Sequence, residues 1–282
     1  MERLHRIFSN GNRELKTFLD AEQIEHKYEE SIVGKTVFLL ISESHPKWRP
    51  LAKWLNAHDT LHTVELKFTP AEVRAAPWCT IMASHIGYPQ PADDFGYLHV
   101  TYESPSGCLA CGIGFRQVSP FRLRTAPDSH RLRLFQLNWV FDEFFVTDAC
   151  RDELRASRIS GIDFYPVLHH KTGSEIIGWS QMRIVETLEA PLNTAGLVTE
   201  TCNRCSGSKF NYPQGEPLAL ASSPPETTPD VVKSREWFGS GGEAHHLVVV
   251  SQRFASLSLR STWRGPFLAP LVQPGLVLTL MR

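Results

Sequence analysis

The chain has 282 residues, 42% of them hydrophobic and 10% aromatic, which is enough apolar material for a sizeable core and too much for a disordered chain. Lys plus Arg number 29 against 30 Asp plus Glu, and the net charge of -1 excludes any global attraction to nucleic acid or to an anionic membrane. No run reaches the roughly 18 apolar residues of a membrane span, and the polar start from Met1 to Arg6 carries no apolar signal region, so a cytoplasmic protein is expected.

Leu15, Phe18, Leu19 and Ile24 recur at helical spacing and predict a surface helix within residues 12–30. Thr36 to Ile41 predicts a buried strand, Trp48 to Leu55 a helix after Pro46, and Thr63 to Phe68 a second strand; together they make a strand, helix, strand unit. Gly34-Lys35-Thr36 is no phosphate loop, because position 29 holds Glu29 where that motif needs Gly. Thr69-Pro70-Ala71-Glu72 has the cap, the first-turn Pro and the Glu of a helix start. Tyr97 to Tyr102 alternates like a strand.

Phe121-Arg122-Leu123-Arg124 and Arg131-Leu132-Arg133-Leu134 flank a turn sequence and predict a β-hairpin, leucines on one face and Arg122, Arg124, Arg131 and Arg133 on the other. That face reads either as a contact for an anion or acidic partner or as the solvated side of a half-buried hairpin. Residues 206–244 are rich in Gly, Ser and Pro, a long loop with one short helix expected at Asp230 to Phe238.

Six cysteines in a reducing compartment argue against a disulfide framework. Cys108-Leu109-Ala110-Cys111-Gly112 and Cys202-Asn203-Arg204-Cys205 have the spacing of two half-sites for one tetrahedral metal, and four thiolates suit structural zinc. The rival is two metals, each CxxC recruiting imidazoles from His130, His169, His170, His245 and His246, but neither His pair has finger spacing. Cys79 and Cys150 stand alone among apolar neighbours and read as inert buried thiols.

An internal similarity frames the cysteines. At an offset of 104 positions Val146-Thr147-Asp148 meets Val250-Ser251-Gln252, Gly161 meets Gly265, Phe164 meets Leu268, and Pro166-Val167 meets Pro270-Leu271. Each copy reads as apolar strand, Thr or Ser cap, short helix, Gly turn and second strand. The fold class expected is therefore α+β: an N-terminal α/β region over 1–104, then a duplicated zinc module over 105–282. Its copies run over about 105–190 and 198–275, joined by one shared four-cysteine zinc site on an approximate two-fold axis.

At these residues the chain resembles the double-CXXCG-motif proteins of myxobacteria and relatives, some of which are regarded as immunity proteins against toxins delivered between cells. The matching elements are the two CxxC motifs, the run from Val248 to Phe254 with Gly265 and Pro270, and Val146-Thr147 to Pro166-Val167, within residues 105–275. The second motif departs by placing Ser206 before Gly207. The resemblance implies a zinc-stabilised, non-enzymatic binding protein with Cys108, Cys111, Cys202 and Cys205 as ligands and a toxin domain as partner. Two alternatives stand beside it. One is an enzyme with a site between the N-terminal region and the zinc module, using His169, His170, Asp142 and Glu143. The other is a nucleic-acid-binding zinc protein, which the neutral charge disfavours.

Overall fold

The computed structural model describes residues 1–10, 12–31, 34–103, 107–127 and 132–274, and the account that follows concerns these. They form a mixed α/β protein of two compact units, one comprising Met1–Thr69 with Pro213–Pro217, the other Pro70–Tyr212 with the chain from Leu218 on. No helix among the described residues is long and apolar enough to cross a membrane.

In the first unit β1 (Glu2–Asn10), α1 (Arg13–Ala21), β2 (Lys27–Ser31), β3 (Gly34–Ser42), α2 (Trp48–Ala57) and β4 (His62–Lys67) follow one another. The sheet order is β2-β3-β1-β4 with every neighbour antiparallel. This is the split βαβ connectivity called ferredoxin-like, with β1 lying between the expected pair β3 and β4. Asn12 starts α1 by accepting the Leu15 N–H at 2.9 Å. Leu15 and Leu19 of α1 and Leu51 and Leu55 of α2 pack on Ile7, Val37, Leu39 and Ile41. Only one face of β3 is covered, so the expected buried strand is half-buried: Phe38 and Leu40 point to the open side, Phe38 opposite Phe8.

The second unit opens with α3 (Pro70–Ala75), β5 (Trp78–Ala83) and α4 (Tyr97–Thr101). The strand expected at 97–102 is this helix, because Tyr97 and Thr101, four apart, are the buried pair, and six residues hold too few turns to separate a period of two from 3.6. A two-stranded ribbon, β6 (Tyr102–Glu103) with β7 (Arg116–Gln117), leads to β8 (Arg122–Leu123), β9 (Leu134–Phe135), β10 (Phe144–Thr147), α5 (Asp148–Ala156), β11 (Ile162–His169) and β12 (Glu175–Ile184). Then come β13 (Thr199–Thr201), β14 (Ser208–Phe210), β15 (Val231–Phe238), β16 (His245–Ser251), α6 (Gln252–Arg260) and β17 (Pro266–Pro270).

Two corrections concern strand partners. The hairpin expected over 121–134 does not form: β8 pairs parallel with β11, β9 pairs antiparallel with β10, and the two stand at opposite edges of the sheet β8-β11-β12-β10-β9. Local alternation set their buried faces but not their neighbours. The helix expected over 230–238 is the strand β15, whose Val231 and Val232 pair with Val250 and Val249 of β16. Asp230, just before this strand, accepts from Ser160, Ser251 and Arg253.

A second sheet runs β13-β14-β15-β16-β5-β17. Within the two sheets one register recurs. Strand β12 lies between β10 and β11, with Met182 opposite Phe144 on one side and Phe164 on the other. Strand β5 lies between β16 and β17, with Ile81 opposite Val248 and Leu268. The neighbouring pairs match as well: Leu134 faces Val146 and Val231 faces Val250. Both helices that follow start alike, Thr147 accepting the Cys150 N–H and Ser251 the Phe254 N–H.

Gly161 and Gly265 end the turns after α5 and α6 at φ of 86° and 116°. A Cβ on Gly161 would lie 2.1 Å from the Val231 carbonyl oxygen, and one on Gly265 would lie 1.9 Å from that of Leu134. Each turn is thus pressed on the other sheet's strand, and only glycine allows the approach. Gly265→Ala is expected to cost about 3 kcal/mol or more, a fall in Tm of about 6 °C or more, whereas Gly87→Ala, at φ 67° with open space around it, costs about 1 kcal/mol. Thermal denaturation of the two variants checks the contrast.

Candidate metal centre and adjoining cleft

Each CxxC motif is a tight turn closed by its own backbone. The Cys108 N–H donates to the Ile113 carbonyl at 2.8 Å and the Gly112 N–H returns to the Cys108 carbonyl at 2.8 Å. Ninety-four positions on, the Cys202 N–H donates to Gly207 and the Ser206 N–H to Cys202, both at 2.9 Å. Gly112 (φ 80°) and Ser206 (φ 59°) hold the same left-handed place. Gly112 is obligatory because a Cβ there would meet the Ala244 nitrogen at 2.7 Å, whereas Ser206 is exposed and bears only the conformational strain. The departure from the double motif therefore leaves the turn intact.

The turns bring all four sulfurs within 4.8 Å of one another, Cys108 Sγ 3.8 Å from Cys202 Sγ and Cys111 Sγ 3.6 Å from Cys205 Sγ. Four thiolates about 2.3 Å from one tetrahedral ion stand about 3.8 Å apart, so the donor set and its spacing fit a single metal. The backbone N–H groups of Cys205 and Arg204 hold the Cys202 thiol down to about 6, while burial and the neighbouring thiols push Cys111 up to about 12. Among the described residues no imidazole joins the four sulfurs in the cluster.

Sequence reasoning missed Lys209. Its side chain is 1% exposed, and Nζ donates to the carbonyls of Cys111 (3.3 Å), Gly241 (2.6 Å) and Glu243 (2.9 Å), with Glu200 at 3.6 Å. It pins the backbone of the first cysteine turn to the loop 239–244. A buried lysine announces itself only through its partners, and these lie far apart in sequence.

Beside the first turn lies a cleft of about 940 Å³, reached by Leu109 and Gly112 and walled by Tyr97, Trp139, Phe141 and Trp237. Its floor holds Lys233 Nζ between Asp142 (3.1 Å) and Glu143 (2.5 Å). Gln181 donates to Glu143 at 2.8 Å and is paired amide to amide with Gln117. Burial opposes the charge on Lys233, but the two carboxylates outweigh it and raise its pKa; burial also opposes the charge on Asp142, but Lys233 with the two histidines holds its carboxyl low, while burial prevails at Glu143 and pushes it up. Two counterparts at the 104 offset meet here: the rings of Phe141 and His245 lie 5.0 Å apart, and the His246 N–H faces Asp142 Oδ2 at 3.4 Å.

The remaining candidates are dispersed. Arg122 is half-buried and Arg124 is exposed beside one edge of the sheet, Arg133 is exposed beside the opposite edge, and Arg131 lies outside the described residues. Asp142 and Glu143 line the cleft, whereas His169 and His170 do not; His169 is bonded to Thr172. His130 lies outside the described residues. Cys79 and Cys150 are buried, and burial pushes the first thiol up to about 12 and raises the second. Compared with known proteins, the chain matches no protein-family model, and no curated protein is detectably similar to it.

Two expectations follow. Chelation of the metal, or Cys202→Ser, is expected to abolish the cooperative melting of the second unit, because a tetrathiolate ion contributes roughly 10 kcal/mol or more, the scale of a whole domain's stability. Lys233→Gln leaves two buried carboxylates uncompensated and is expected to cost about 3–5 kcal/mol in denaturant titration. The triple variant Asp142→His, Glu143→Leu, Lys233→Gln, which copies the residues at the matching places of the other sheet (His246, Leu247 and Gln136), is expected to recover most of that loss.

Proposed function

We propose that this protein is a non-enzymatic binding protein whose second unit consists of two copies of one module stapled by one structural zinc. The observation that carries this is the closed set of four cysteine sulfurs, contributed two by two from turns that share the same pair of closing backbone hydrogen bonds. Four thiolates fill a tetrahedral coordination sphere and leave no place for water or substrate, which gives the metal a structural role.

The copies begin earlier than the cysteines. Strand β5 opens the first and β12 the second, at an offset of 101 from Trp78 to Trp179, and each is inserted into the other copy's sheet in the same register. The offset is 94 at the cysteines, 97 at Leu134 and Val231, and 104 from the next strand on. Reciprocal contacts of Gly161 with Val231 and of Gly265 with Leu134 are what a two-fold relation requires, with the zinc and the Phe141 and His245 pair on its axis.

The resemblance to double-CXXCG-motif proteins supports a toxin domain as the partner and a role in immunity. An enzymatic reading has one observation behind it, the charged floor of the cleft. There, however, Lys233 is held as an ammonium between two carboxylates and offers no nucleophilic lone pair.

In contact with its parent, a strain lacking this chain is expected to lose viability, and the wild-type chain restores survival where Cys202→Ser does not. Equal survival with and without the chain would contradict the immunity role.

A further inference from the structure

The two halves of the second unit act as each other's control. Gln136 and Lys233 occupy the same place in the ladder: Gln136 exchanges backbone bonds with Ile86 and Ser84, Lys233 with Leu188 and Glu186. Their surroundings differ. Gln136 is buried and bonded to the Ala83 N–H and the Phe141 carbonyl, with His246 and Leu247 standing where the other half has Asp142 and Glu143. One half therefore builds this corner with a neutral amide, and the other with an ammonium and two carboxylates that cost desolvation. The fold does not need those charges, and they line the cleft.

Their sign and surroundings define what fits. Among the charged side chains that line the cleft, Glu103, Asp142, Glu143 and Glu243 face Lys233, Arg116 and Arg183, one more acid than base. Lys233 is spent on its two carboxylates, and Arg183 lies over the Tyr165 ring, 4.7 Å from its centroid, and bonds the phenol. The His246 imidazole is an acceptor: its Nδ1 bonds the Glu236 carbonyl, which places the proton on Nδ1 and leaves a lone pair on Nε2, while His245 Nδ1 is engaged by Glu243. Burial and Lys233 lower the pKa of His246 and keep it neutral; the facing charge of Asp142 opposes them but does not prevail. A matching occupant then brings several N–H donors and a positive charge, and a flat surface to meet the rings of Trp139, Phe141 and Trp237 that line the cleft.

On these grounds, and resting on the binding-protein reading above, we infer that the cleft receives a guanidinium, the side chain of an arginine presented by the protein partner. A guanidinium offers planar donors to the carboxylates and imidazoles and two faces to the aromatic walls, which an ammonium does not.

The test uses zinc-loaded, full-length protein and follows its tryptophan fluorescence and the indole N–H signals of Trp139 and Trp237. The probes are N-acetyl-arginine amide, the matching citrulline and lysine amides, and inorganic phosphate. Saturable binding of the arginine amide in the millimolar range or tighter is expected, at least tenfold stronger than citrulline, which has the shape without the charge. Asp142→Asn and the half-exposed Glu243→Gln are each expected to weaken it at least fivefold with zinc content unchanged. No saturable response to arginine, equal binding of citrulline, insensitivity to both variants, or preference for phosphate would overturn the inference. One zinc per chain with no arginine binding would leave the zinc-stapled reading standing and remove only this one; arginine binding without a zinc site would do the reverse.

Discussion

Four thiol groups from segments 94 residues apart, gathered within 4.8 Å, are the constraint on which the second unit depends. Without a cation they cannot all ionise together. Backbone N–H groups hold Cys202 down to about 6 while burial pushes Cys111 up to about 12, and a divalent ion would favour the thiolate at every position. The backbone is already arranged for the ion, with the N–H groups of Arg204 and Gly207 each 3.4 Å from a sulfur and Lys209 buried behind the first turn. Structure and charge converge on the same point, and the two halves of the unit meet there.

The other constraint is the exchange of strands. Because β5 is laid into one sheet and β12 into the other, neither half can bury its central strand alone. The four cysteine sulfurs come together from segments 94 positions apart, and the glycine turns at Gly161 and Gly265 each press on a strand of the other sheet. The two sheets differ at Lys233, Asp142 and Glu143, a charged corner where the matching places of the other sheet hold Gln136, His246 and Leu247.

The CxxC spacing, the Thr147 and Ser251 caps and the paired glycines were legible in the sequence because each depends on a few neighbouring residues, and the same holds for the helices of the first unit. Partner choice was not legible. Trp78-Cys79-Thr80-Ile81-Met82 and Trp179-Ser180-Gln181-Met182-Arg183 share little beyond the tryptophan, so nothing in the sequence marked that the two strands take the same register in their sheets. Strands of two residues such as Arg122–Leu123 and Leu134–Phe135 carry a buried face but no record of their neighbours. The charged floor of the cleft was hidden for a similar reason: Asp142 and Glu143 were noted as a pair, but Lys233, ninety residues on, lay in a stretch read as helix.

The central claim is that one zinc ion is held by four cysteines, two from each half, and metal-edge X-ray absorption on protein purified without added metal, with the metal counted per chain, tests it most directly. The account predicts one zinc per chain with four sulfur neighbours at about 2.3 Å and no nitrogen or oxygen in the first shell. Two ions per chain, a mixed nitrogen and sulfur shell, or a metal-free protein with the same cooperative melting would contradict it.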